Sequence, residues 1–184
     1  MKKHFFAAIL ALTALGASSC KKDPKLPTPS VEEFPLAFIN ISAQSTYKVT
    51  DIQAGNPTAT FFIDVRGGDA SQVESINIYR TFRGFNVPAT GNPALGFGGP
   101  TLLLRSVPPT SGNISVTLSD MIAGLTRAAG PSQGGTRVPI TGASLRANES
   151  FLITYDLLLK GGRRIEYNQS FNTAPLSGTI TVIP

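Results

Sequence analysis

Beyond Pro35, apolar and polar residues alternate along most of the chain with the period of two that marks half-buried strands. Leu36 to Ile41 reads as a strand with Leu36, Phe38 and Asn40 on one face and Ile39 and Ile41 on the other. Tyr47 to Ile52 alternates again, with Tyr47, Val49 and Asp51 opposed to Lys48, Thr50 and Ile52. After a Gly55-Asn56-Pro57 turn, Thr58 to Arg66 sets Phe61, Ile63 and Val65 against Thr60, Asp64 and Arg66. Gln72 to Phe82 turns Ile76 and Ile78 inward and Asn77 and Tyr79 outward. Further strands are predicted at Thr101 to Val107, Asn113 to Leu118 and Leu176 to Ile183. One helix is predicted, Asp120 to Ala128, with Ser119 as its cap and Met121, Ile122 and Leu125 as its apolar face, ended by Gly130-Pro131. Strands roughly ten residues apart with turn signals between them predict a mainly β fold, a single β-sandwich over residues 35–184 with one short helix.

The alternation also predicts a register. Phe151, Ile153, Tyr155, Leu157 and Leu159 share a face, Lys160-Gly161-Gly162 forms a turn, and Ile165, Tyr167 and Phe171 resume the alternation. A two-residue turn would set Leu157 against Glu166. A three-residue loop sets Leu157 against Ile165, Tyr155 against Tyr167 and Phe151 against Phe171. Register follows the apolar face, so a three-residue loop with a glycine at positive φ and a bulge is expected.

Gly84 to Pro100 interrupts the rhythm with five glycines and three prolines. Such composition argues against a regular ladder, and long loops in compact domains tend to be functional or disordered. Phe85 and Phe97 within it are either exposed anchors for a partner or sugar ring, or plugs folded back onto the domain. Pro131 to Gly135 is a second loop.

The first 29 residues follow a different logic. Lys2, Lys3 and His4 precede an apolar run of 11 residues, Phe5 to Leu15, then the small residues Gly16-Ala17-Ser18-Ser19, then Cys20. This is the layout of a secretory signal peptide. The run is too short for a bilayer core that needs about 20 residues. Cys20 is the only cysteine, so an internal disulfide is impossible. Its position resembles the lipobox of bacterial lipoproteins, although Ala17 stands where that pattern favours leucine. The resemblance implies signal cleavage over residues 1–19 and lipidation of Cys20, which anchors the mature chain to a membrane. Without lipidation, Cys20 is a free thiol behind an ordinary signal. Residues 20–34, with Pro24, Pro27 and Pro29 among polar neighbours, read as an extended, flexible tether. Lys22-Asp23 is only half of a surface-export signal of Bacteroidetes lipoproteins, which leaves the facing side of the membrane open; the cell surface is expected over the periplasmic face.

Composition narrows the chemistry. Removing residues 1–19 leaves 165 residues, with 14 Lys+Arg against 11 Asp+Glu and no histidine or tryptophan. A net charge of +3, scattered rather than striped, does not suggest nucleic-acid binding. Lack of histidine excludes Ser-His-Asp and Cys-His catalysis and His/Cys zinc sites. The isolated acids do not form a calcium loop. No metal or cofactor is expected, and no catalytic residue is assigned. A carboxylate glycosidase is the enzymatic alternative, because two acids need no histidine. Asp64, Asp156 and Glu166 are its candidate acids, each read more simply as solvent-facing.

Three stretches, Ser115 to Leu125, Leu145 to Phe151 and Leu157 to Arg163, together resemble small Bacteroidetes lipoproteins encoded beside outer-membrane nutrient importers of the SusC/SusD type. Asn148-Glu149 stands where a Gly-Asp pair is usual in that pattern. The resemblance implies an Ig-like or fibronectin-like sandwich and a non-catalytic accessory role at the outer membrane, with transporter proteins as partners. Surface glycan binding and an envelope spacer are the alternatives. Tyr79, Phe85 and Phe97 are the candidate contact residues.

Overall fold

The computed structural model describes residues 33–42, 45–85, 95–96, 99–130, 135–166 and 177–184, all within the unit Glu33–Pro184. Cys20, the predicted signal peptide, nearly all of the predicted tether, Phe97, Tyr167 and Phe171 lie outside the described residues. In chain order the elements are β1 (Leu36–Asn40), β2 (Thr46–Lys48), α1 (Val49–Ala54), β3 (Thr58–Arg66), β4 (Val73–Phe85), β5 (Leu95–Gly96), β6 (Leu102–Val107), β7 (Gly112–Thr117), α2 (Leu118–Ile122), β8 (Thr126–Ala128), β9 (Arg137–Pro139), β10 (Ser150–Leu159), β11 (Arg164–Glu166) and β12 (Gly178–Ile183).

β3 lies between β1 and β7 in one antiparallel sheet. In the other, β4 and β10 form a long antiparallel ribbon. β12 and β11 extend it on the β10 side, and β6 and β5 on the β4 side. β2 adds to β12 in parallel. The chain is a mainly β sandwich. Its pairings are those of the immunoglobulin type, in which the first, second and fifth strands face a sheet centred on the third and sixth.

The core is where the two sheets meet. Ile39, Phe61, Ile63 and Val116 come from the first sheet, and Ile76, Ile78, Phe151, Ile153, Leu157, Ile180 and Val182 from the second. Phe82 and Tyr47 pack on Phe151 at ring-centroid distances of 5.6 and 6.2 Å. Two tyrosine hydroxyls cross between the sheets to backbone groups. Tyr155 accepts from the Ala37 amide at 3.0 Å, and Tyr47 donates to the Val116 carbonyl at 2.9 Å. Each satisfies a buried group that would otherwise cost about 1–3 kcal/mol.

The predicted strand at Tyr47 to Ile52 holds only through Lys48. Val49 and Ile52, three apart, instead share the inward side of α1, and the polar residues around Ile52 are exposed. There are thus two short helices among the described residues where one was expected. The second is shorter than predicted. Thr117, not Ser119, caps α2 by accepting from the Asp120 amide at 3.2 Å. Gly124 turns the chain at φ 70°, and Thr126 to Ala128 pairs as a strand with β9. Arg80, buried on β4, closes the end of this helix. It donates to the carbonyls of Met121 (2.7 Å), Ala123 (2.7 Å) and Leu103 (2.5 Å). Burial lowers its pKa from the usual arginine value.

The Gly84 to Pro100 stretch begins later than its composition predicted. β4 runs through Gly84 and Phe85, and β5 pairs with them. Gly84 belongs in the strand because a Cβ there would strike the Phe82 ring and come within 2.7 Å of Glu149 Oε1.

Candidate functional site

The outer face of the β4–β10 ribbon carries polar groups in register. Asn77 lies opposite Asp156 and Tyr79 opposite Thr154, while on the other side of β10 Glu166 lies opposite Asp156. Asp156 is the centre of this group and is buried, 2% exposed. It accepts from Asn77 Nδ2 at 2.9 Å on Oδ1 and from the Tyr79 hydroxyl at 2.9 Å on Oδ2. Arg164 donates to Asp156 and to the Tyr79 hydroxyl. Asn77 Oδ1 in turn accepts from Ser106 Oγ at 2.6 Å. The Arg164 guanidinium carbon stands 5.6 Å from the Tyr79 ring centroid. Partial burial and the bond to Asp156 raise the Tyr79 pKa, opposed by Arg164. The bond to Asp156 and its charge raise that of Arg164.

Above this network lies a cleft of about 300 Å³, lined by Tyr79, Thr101, Thr154, Tyr155, Asp156, Arg164 and Glu166. Of the residues expected to contact a ligand, Tyr79 is at the cleft. Phe85 is six residues further along β4, about 20 Å at 3.3 Å per residue, so it belongs elsewhere. Its amide donates to Glu149 Oε1 at 3.0 Å, which ties the strand end to a buried ion pair. There Arg127 Nη1 and Nη2 donate to Glu149 Oε1 and Oε2 at 2.8 and 3.1 Å. Arg127 is 2% and Glu149 0% exposed, and Arg127 also stands 4.9 Å over the Phe82 ring.

The candidate acids separate. Asp64 is held by Arg66, whose Nε donates at 2.7 Å. Glu166 is exposed, as expected. Asp156 is not solvent-facing, and Asn77, expected outward, is buried with it. The polar pair fills the sheet face because each residue satisfies the other. Alternation alone could not find the pair: Asn77 between Ile76 and Ile78, and Asp156 between Tyr155 and Leu157, stand where a solvent-facing residue would. Arg127 was missed as well, because the Ser119 cap and the apolar Met121, Ile122 and Leu125 had placed it in a helix. Among the described residues no three His, Cys, Asp or Glu side chains gather as they would around a metal ion. A scan against protein-family models, a search of curated proteins and a search of solved structures each return no match for this chain.

Proposed function

We propose that this protein is a non-catalytic accessory lipoprotein, anchored through Cys20 at the outer membrane with its sandwich at the cell surface, where it assists a nutrient importer of the SusC/SusD type. The non-catalytic part of the reading is carried by one observation. Asp156, the buried acid of the cleft, has both oxygens engaged by Asn77, Tyr79 and Arg164. A glycosidase acid must give a proton to its leaving group, and its partner must attack or activate water. A carboxylate held by three donors from rigid strands is placed to build a surface instead. The envelope part rests on the order of charged, apolar and small residues ahead of Cys20 and on the proline-rich spacer after it.

The test is co-purification. Lipidated, tagged protein is extracted from its own membranes in mild detergent and its companions are identified. Stoichiometric recovery of an outer-membrane barrel is expected, and recovery of the protein alone overturns the importer assignment. Cys20→Ser should move the protein out of the membrane fraction. Retention of that variant in membranes overturns the anchor.

A further inference from the structure

We propose that the cleft over Tyr79 and Asp156 docks a protein partner through a lysine or arginine side chain that reaches Glu166, with an apolar neighbour of that residue resting on Leu103. The proposal deepens the accessory reading and rests on it only for the existence of a protein partner.

Asp156 and Glu166 lie directly opposite each other on β10 and β11, and both line the cleft with Arg164. Like charges in that register repel. Arg164 answers only one of them. Its Nη2 group donates to Asp156 and to the Tyr79 hydroxyl. Of the groups that raise the Arg164 pKa, Asp156 leads and Glu166 comes last. Two carboxylates against one guanidinium leave the lining with one negative charge in excess. That charge is on Glu166, which is exposed and forms no salt bridge with a described residue. A cation entering beside Glu166 relieves the remaining repulsion, an anion adds to it, and a neutral group leaves it as it is.

The apolar side of the cleft extends this to a longer ligand. Thr154 lies opposite Tyr79, and Tyr79 opposite Leu103, in one row across β10, β4 and β6. Leu103 is 51% exposed, one of two large apolar side chains left so among the described residues. From Glu166 on β11 to Leu103 on β6 is three strand spacings, about 14 Å. That span suits a basic residue and its neighbour in sequence, not a lone cation. The alkyl stem of the basic residue crosses Thr154 and the Tyr79 ring, and the Thr154 hydroxyl accepts one of its N–H groups. The neighbouring side chain then covers Leu103. Asp156 fixes Tyr79 and Arg164, and Asn77 and Ser106 fix Asp156, so the surface is ordered before a partner arrives.

Saturation-transfer NMR tests this on the full lipidated chain in detergent. The probes are end-blocked dipeptides pairing leucine with lysine or arginine in both orders. Their ε-acetyl-lysine and glutamate counterparts, and pentylamine, are the comparisons. At least one basic dipeptide should receive saturation, with a Kd on the order of 1 mM, and raised salt should weaken it. The acetylated and acidic counterparts should bind several-fold more weakly. Glu166→Gln, which removes no buried partner, should weaken the basic dipeptide about fivefold, and Glu166→Lys should abolish its binding. Leu103→Ser should weaken the dipeptide and leave pentylamine as it was. Phe62→Ala, at an exposed position of the other sheet, should change nothing. Lack of saturation of every basic dipeptide at about ten times that concentration overturns the proposal. So does equal binding of the acetylated counterpart, or indifference to Glu166→Gln while that variant keeps the parent's near-ultraviolet circular dichroism. Pentylamine bound as tightly as the dipeptides overturns a protein as the source of the cation. In the co-purification assay, companions retained by a folded Glu166→Lys variant overturn docking at this cleft and leave the accessory reading intact. Dipeptide binding without any companion in that assay sinks the importer reading and leaves the cleft standing.

Discussion

At the scale of single residues, the fold depends on a few side chains whose neighbours leave no alternative. Gly84 is one. Its missing Cβ is the space into which the Phe82 ring and the Glu149 carboxylate fit, and Phe82 is only 2% exposed and cannot swing away. Gly84→Ala should therefore cost about 1–3 kcal/mol of overpacking, read as a lowered urea midpoint with an unchanged m-value. Tyr47 is another. Burial raises its pKa above the free tyrosine value of 10.0, since ionising it would strand a phenolate in the core. The unfolded chain then releases this proton first. The associated stability is intact below pH 10 and is lost as pH climbs towards the raised folded value, at up to about 1.4 kcal/mol per pH unit. Unfolding titrations at pH 8, 10 and 11 should show this decline. Tyr47→Phe should flatten it while losing about 1 kcal/mol below pH 10, through loss of the bond to the Val116 carbonyl. An undiminished alkaline slope in that variant would assign the effect to another group. Little at this scale was legible beforehand. Which apolar residues face inward follows from alternation, but a buried Asn77 or Arg80 depends on partners distant in sequence: Asp156 for one, three carbonyls for the other.

At the scale of elements, legibility depended on whether one rule or two competed for a stretch. The β10–β11 hairpin was readable because only one loop length keeps Leu157 against Ile165, and that register is the one observed. The loop is Lys160 to Gly162, closed by Leu159 and Arg163 at 2.9 Å, with Gly162 at φ 78°. The pairs expected further along, at Tyr167 and Phe171, lie outside the described residues. Gly161 and Gly162 both have open space around a would-be Cβ, so they separate conformational strain from crowding. Gly162→Ala should cost about 1–2 kcal/mol through left-handed strain alone, and Gly161→Ala should be neutral or slightly stabilising. Equal thermal midpoints for the two variants would refute the bulge as the feature that sets the register. The helices were misread because alternation and helical spacing overlap over six residues. Val49 and Ile52 fall on opposite faces of a strand and on one face of a helix, and the choice is made by what lies beside Ile52, the turn at Gly142. Asn148 belongs here too. It adopts φ 70°, a conformation asparagine tolerates better than most side chains, so the turn that Glu149 needs forms without a glycine.

At the scale of the whole molecule, the sandwich is unevenly secured. β4 and β10 each have partners on both edges and supply much of the core. β8 and β9 form a separate two-stranded ribbon, and such a ribbon is marginal without packing or side-chain anchors. Its anchor to the sandwich is the buried pair of Arg127 with Glu149, while the half-buried Arg137 ties β9 to β8 by donating to the Thr126 hydroxyl and carbonyl at 2.8 and 2.7 Å. Glu149 also accepts from the Phe85 and Arg146 amides, so one carboxylate joins the ribbon, the end of β4 and the turn before β10. Glu149→Gln breaks a buried pair, a change that typically costs about 3–5 kcal/mol. How that loss is distributed tests the architecture. If the ribbon is a separate opening unit, amide exchange should quicken at Arg127 and Val138 far more than at Ile78 and Tyr155, which sit in the central ribbon and should still exchange only through global unfolding. Equal acceleration at all four positions would mean that the pair secures the entire sandwich, and that its two sheets and small ribbon open as one body.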